Sequence, residues 1–173
     1  MRAWIGLAGL LLIASGGVAG AGEAGAGKAA AVRTTVKELR QHQGAMVVLL
    51  QTDGGKQLLP IWIGVAEAQA IQLRLASQAP VRPLTLDLLQ TMLSVLGARV
   101  ERVEVDDLRE GVFTGKVSLR DARGRAYRVD GRPSDLIGLA LGAKLPVHVA
   151  PHVLRKAAVD GTAPSVWTSP PTP

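Results

Sequence analysis

Residues Ala45 to Ser77 read AMVVLLQTDGGKQLLPIWIGVAEAQAIQLRLAS. Two aliphatic runs, Ala45 to Gln51 and Lys56 to Ile63, flank Thr52-Asp53-Gly54-Gly55. The glycines tolerate the positive φ that a tight hairpin turn requires, so the pair reads as antiparallel strands. Pro60 has no N–H to give to a ladder, which predicts an edge strand or a bulge there. At Gly64 the apolar period lengthens: Ala68, Ile71 and Leu75 fall on one stripe of a helix over Gly64 to Ser77, with Glu67 near its positive end.

The same alternation extends outward. Val32 to Leu39 is a strand joined to Ala45 by a polar turn at His42 to Gly44. After a proline-bearing loop, Gln78 to Pro83, a second helix begins with Thr85 as the expected N-cap. Leu89, Met92, Leu93 and Leu96 give it an apolar stripe, and Gly97 a stop. Arg99 to Val105 is a strand, and Val112 to Arg120 with Arg125 to Val129 a further hairpin. A short helix follows Arg132-Pro133-Ser134-Asp135, then a strand at Val147 to Val149 and a helical turn at Pro151 to Ala158. Hairpins flanking helices imply an α+β fold: a mixed, largely antiparallel sheet with hairpins packed against two main helices and one short helix.

The flanks have different compositions. Met1 and Arg2 precede an apolar run, Ala3 to Val18, and Ala19-Gly20-Ala21 fits the small-x-small pattern of a signal peptidase site. Residues 1–21 are therefore expected to be a signal peptide, and 22–31, rich in Gly and Ala, a flexible linker. The alternative is an uncleaved anchor, although the run is short and broken by glycine. The domain is expected over residues 32–158, and a disordered Pro/Thr/Ser tail over 159–173. The implied localisation is export, to periplasm or extracellular space, with no stable membrane span after cleavage.

Roughly 130 residues of domain support a single core. Lys and Arg outnumber Asp and Glu, 20 to 14, which favours polyanionic partners. The chain has no cysteine, so disulfides, zinc thiolates and thiol nucleophiles are excluded. Aromatics are few, leaving little material for a base-stacking platform.

Two segments echo each other. Arg82-Pro83-Leu84-Thr85-Leu86-Asp87 and Arg132-Pro133-Ser134-Asp135 each give Arg-Pro, a hydroxyl and an Asp at a helix start. Proline keeps the preceding residue extended, the hydroxyl is placed to cap, and the Asp sits at the positive dipole end. If the two starts converge, two arginines could grip a phosphodiester and two carboxylates a hard dication. The plainer alternative is that both segments only cap helices. Glu67 would be a third carboxylate, or simply a dipole-favoured one. Arg120, Arg123, Arg125, Arg128 and Arg132 crowd one hairpin and its exit, as a phosphate-binding stripe or as a solvated outer face. His148 and His152 are separated by Pro151 and do not share a helical face.

Three stretches, Gln57 to Ala70 (QLLPIWIGVAEAQA), Arg82 to Leu89 (RPLTLDLL) and Asp130 to Leu141 (DGRPSDLIGLAL), resemble the bifunctional nuclease domain family in order and spacing. The resemblance covers roughly Val32 to Lys156 and implies a compact α+β domain, often oligomeric, associated with cleavage of DNA and RNA. It implies a nuclease of low sequence specificity. Asp135, Asp87 and Glu67 would be catalytic, with Asp135 and Asp87 holding Mg²⁺ or Mn²⁺. Arg132, Arg82, Ser134, Arg128 and Arg125 would bind substrate. The implied partners are DNA or RNA and a second copy of the chain. Leu86 stands where the family usually has His, which leaves open a module that binds without cutting. Gly131 replaces a larger residue and is expected to loosen the turn before Arg132.

Overall fold

The structure, a computed structural model, describes residues 30–161; the expected leader, the linker up to residue 29 and the chain from residue 162 lie outside them. The elements run β1 (Val32–His42), β2 (Ala45–Thr52), β3 (Gln57–Ile63), α1 (Val65–Leu75), α2 (Thr85–Val95), β4 (Arg99–Arg109), β5 (Val112–Arg120), β6 (Ala126–Gly131), α3 (Pro133–Gly142), β7 (Val147–Val149), α4 (Pro151–Ala157) and β8 (Val159–Asp160). The strands form one sheet in the order β6-β5-β4-β7-β1-β2-β3-β8. Every neighbouring pair is antiparallel except β4 and β7. The α+β fold with a mixed, largely antiparallel sheet is thus the one the sequence implies.

Turn chemistry fixes the register. Gln43 and Gly44 close the β1–β2 hairpin at φ 49° and 83°, and Glu110 and Gly111 close β4–β5 at 49° and 79°. Two consecutive positive φ values match the twist of the flanking strands. Beyond Gln57 and Leu58, which pair with β8, β3 has no outer neighbour among the described residues, and Pro60 lies in that part. Val159–Asp160 falls in the span expected to be tail; it is instead a short edge strand, because its backbone completes the start of β3. β4 also runs on to Arg109, past its expected end at Val105, since β5 pairs with it throughout.

One face of the sheet carries the core. Val48, Leu50, Leu59 and Ile61 meet Val103, Val105, Ile71 of α1, Ile137 and Ala140 of α3, and Val153 of α4, all at most 2% exposed. Each such fully buried aliphatic side chain contributes about 1.5–3 kcal/mol. A smaller cluster, Val47, Leu49 and Leu58 with Trp62 and Val159, forms separately.

α2 departs from its expected packing. Leu89, Met92 and Leu96, expected to face the core, are exposed, as are Leu88 and Val95, and no residue of this helix is buried. α2 instead turns Leu86 and Gln90 toward α3, where a Cβ at Gly138 would collide with Leu86 and one at Gly142 with Gln90. Gln90 Nε2 donates to the Leu139 carbonyl at 3.2 Å. Two glycines four apart on α3 thus form the groove that takes two side chains four apart on α2.

Candidate functional site

The site is built from the start of α3 outward. Arg132 is the N-cap of α3 and is extended (φ −65°, ψ 139°), as Pro133 at the first helical position requires. Gly131 does not loosen this turn. It pairs with Gly115 across β5 and β6, and Leu136 fills the space that a Cβ at either glycine would need. Arg132 is therefore delivered from a fixed strand end. Its Nε donates to Asp135 Oδ2 at 2.8 Å and its Nη2 to Asp135 Oδ1 at 3.1 Å. The same Nη2 lies 3.0 Å from Glu67 Oε1. The Asp135 hydrogen bonds, then the Asp135 and Glu67 charges, raise the guanidinium pKa above its usual value.

Glu67 stands in the first turn of α1, where the helix dipole favours a carboxylate. It folds back over Gly64, and a Cβ at that position would collide with Glu67 Oε2. This requirement for glycine was not evident from sequence alone, although Ile-Gly at a strand-to-helix junction is its trace.

Two clefts meet at the Glu67–Arg132 pair. One, of about 500 Å³, includes Pro83, Leu84, Thr85 and Leu86 together with Glu67, Arg132 and Asp135. The other, of about 470 Å³, is bounded by the end of β3, the Gly111–Phe113 turn and Arg132, Pro133 and Ser134. The two Arg-Pro helix starts do converge, at Pro83 to Leu86 and at Arg132 with Asp135.

They do not bring both aspartates together. Asp87 Oδ1 accepts from Arg74 Nη2 at 2.6 Å and Oδ2 accepts from the Leu84 N–H at 2.8 Å. Leu84, not Thr85, is the N-cap of α2, and the Asp87 carboxylate does the capping expected of the threonine hydroxyl. Arg74 is a helix away in sequence, so no local pattern pointed to it. Asp87 lines neither cleft. Each oxygen of Asp87 and of Asp135 accepts an N–H donor, and only Asp135 of the two lines the shared cleft. Among the described residues no group of three or more His, Asp or Glu side chains is placed to hold a metal.

The remaining predicted residues divide. Ser134 lines the second cleft and is 8% exposed. It makes no cap hydrogen bond, contrary to expectation. Arg82 is exposed, outside both clefts. Arg125 is committed to Asp121 at 2.7 Å and stacks 5.8 Å over Tyr127. Burial works against ionisation of Asp121, but Arg125, Tyr127 and the Arg125 and Arg123 N–H groups outweigh it and lower its pKa to about 2. Arg128 lies 3.9 Å from Glu104 and is largely exposed. The two histidines stay apart: His152 Nε2 is 3.1 Å from Asp107 Oδ1, while burial, helped by the Arg102 charge, lowers the His148 pKa.

No helix among the described residues is long and apolar enough to cross a membrane. The profile of the family described as Bifunctional nuclease domain matches residues 47–162, a span containing both clefts and every residue of the Glu67–Arg132–Asp135 cluster. An uncharacterized protein of Mycobacterium tuberculosis, found in strains CDC 1551 and H37Rv, is 37% identical over 126 residues, covering 73% of this chain and 74% of the relative. The paired Arg-Pro helix starts that shape the first cleft lie within residues 47–162, and the chain belongs to the bifunctional nuclease domain family.

Proposed function

We propose that the protein is an exported nuclease that hydrolyses DNA and RNA phosphodiester bonds with low sequence specificity at the junction of the two clefts. Family membership supports a nuclease-like or nucleic-acid-binding role. The observation that carries the finer reading is the Glu67–Arg132 pair. Arg132 gives Nε and Nη2 to carboxylates, and no bond to Nη1 is seen among the described residues, so that edge is open to a phosphate oxygen. Glu67 gives one oxygen to Arg132, and its other oxygen, Oε2, lies against Gly64, which borders the second cleft.

In hydrolysis Glu67 takes a proton from water as the water oxygen bonds to phosphorus. The P–O bond to the leaving group then breaks, the leaving oxygen takes a proton from solvent water, and Glu67 returns its proton to solvent. Arg132 orients the phosphate and offsets charge on its oxygens. Asp135 holds the guanidinium plane in place. Contacts to phosphate carry no base information, hence the low specificity.

Export rests on the leader sequence. Self-association would use the outward face of α2: Leu88, Met92, Val95 and Leu96 are over half exposed, and the one charge of this helix, Asp87, is matched by Arg74.

The rival is a binding module without turnover. Leu86 favours it, since Leu86 lies in the first cleft and packs against Gly138, where no proton-transfer group then stands. Incubation of plasmid DNA and RNA with the purified chain, in Mg²⁺, Mn²⁺ or chelator, separates the two. Shortening of either polymer supports the nuclease; intact polymers with salt-sensitive binding support the rival.

A further inference from the structure

Beyond the Glu67–Arg132 pair at its mouth, the second cleft takes no part in the hydrolysis described above. Its boundaries are Ile61 to Ile63 at the end of β3, Val112 and Phe113 after the β4–β5 turn, and Pro133 with Ser134 at the start of α3. At about 470 Å³ it falls in the size range of small-ligand pockets. Its walls are mostly apolar; Glu67, Arg132 and Ser134 reach it from helix starts, and Trp62 of β3, whose indole Nε1 is buried with no partner among the described residues, also borders it. Phe113 is the single phenylalanine of the sequence, and the positive-φ turn at Glu110 and Gly111 sets it at this edge.

Ser134 adds an independent observation. It is 8% exposed, and its hydroxyl has no partner among the described residues. The hydroxyl keeps access to solvent and is free to bond a ligand in the cleft. It stands two residues from Arg132, so a ligand group bound there is a neighbour of any phosphate held by the guanidinium.

We infer that this cleft is a nucleobase subsite, which takes the base next to the phosphate at Arg132, stacks it against the Phe113 side and hydrogen-bonds its edge to Ser134. The inference rests on the nucleic-acid reading above and adds a substrate class to it. A base in a duplex is stacked and paired and cannot enter a lateral pocket without being turned out. Unpaired nucleotides are therefore the preferred substrate, and stacking keeps the subsite tolerant of base identity. The scarcity of aromatics in the sequence pointed the other way, but one ring per site suffices for a single base.

Fluorescence anisotropy on the full chain tests this with three labelled probes: a thymidine oligonucleotide of about twelve residues, the same strand with abasic positions, and its duplex. The intact single strand should bind about tenfold more tightly than either other probe, the scale of one stacked base. Phe113→Leu, which keeps an apolar group for the core, and Ser134→Ala should each narrow that gap while leaving abasic binding unchanged; thermal melts check that both fold. Equal affinity for intact and abasic strands overturns the subsite but not the nucleic-acid reading. An undiminished gap in both variants overturns it too. Absence of binding to every probe overturns both.

Discussion

Arg132 Nη2 lies 3.0 Å from Glu67 Oε1, so the first turn of α1 and the N-cap of α3 are joined by one ion pair at the boundary between two clefts. The Arg132 side chain is 69% exposed, yet Asp135 holds it from below through two further hydrogen bonds. A solvent-facing ion pair alone contributes little to stability, on the order of 0–1 kcal/mol. The triad is therefore better placed to position a guanidinium than to hold the fold together.

Arg132→Gln removes the phosphate grip. Nucleic-acid affinity should fall about tenfold or more, and the slope of log affinity against log salt should drop by about 1, as for loss of one phosphate contact. Titrations at several salt concentrations measure both. Arg125→Gln, whose side chain is already held by Asp121, should change the slope less.

Asp87 is a structural residue on this account. Asp87→Asn removes the Arg74 ion pair and the carboxylate cap on Leu84, which should cost about 1–2 kcal/mol. Thermal melting should show the loss, while cleavage stays within about twofold of the parent at a temperature where both are folded. A large fall in activity with an unchanged melting temperature would restore Asp87 to the catalytic set.

The α2–α3 crossing makes its own prediction. Gly138→Ala places a methyl group in the space of Leu86 and should destabilise by about 1–3 kcal/mol. Adding Leu86→Ala should return part of that stability, a coupling that denaturant unfolding of the two single variants and the double variant would reveal.

Asp121 links stability to acid. Its folded-state pKa, about 2, is below the ordinary value of 3.8, so its contribution is full above about pH 4 and is lost as pH falls toward 2. Asp121→Asn should melt below the parent at pH 7, and the difference should shrink steadily between pH 4 and pH 2.

Much of this was legible in the chain because the signals are local. The glycines at 44, 54 and 124 mark turns of the hairpins, and Arg132-Pro133-Ser134-Asp135 marks the start of α3. Repetition of Arg-Pro left open whether two helix starts converge or only cap their helices, and Pro83 to Leu86 lie in one cleft with Arg132 and Asp135. What failed to show depends on partners distant in sequence. Thr85 and Asp87 looked like a cap and a ligand, but Arg74 on another helix draws the Asp87 carboxylate away and leaves it as the cap. The stripe of Leu89, Met92 and Leu96 looked like core, but Gly138 and Gly142 accept the adjacent face of α2. Gly131 looked like a loose turn, and only its cross-strand neighbour Gly115 explains it as room for Leu136.

Glu67→Gln offers the sharpest test of the account, because it alters one oxygen and keeps the shape of the side chain. Cleavage of a single-stranded oligonucleotide at saturating substrate should slow by about 100-fold or more, in keeping with loss of a general base. Affinity for the same strand should hold or tighten, since Arg132 is released from one of its carboxylates. A variant that cuts at the parental rate, or one that loses binding and rate together, would contradict a catalytic role for Glu67 at the cleft junction.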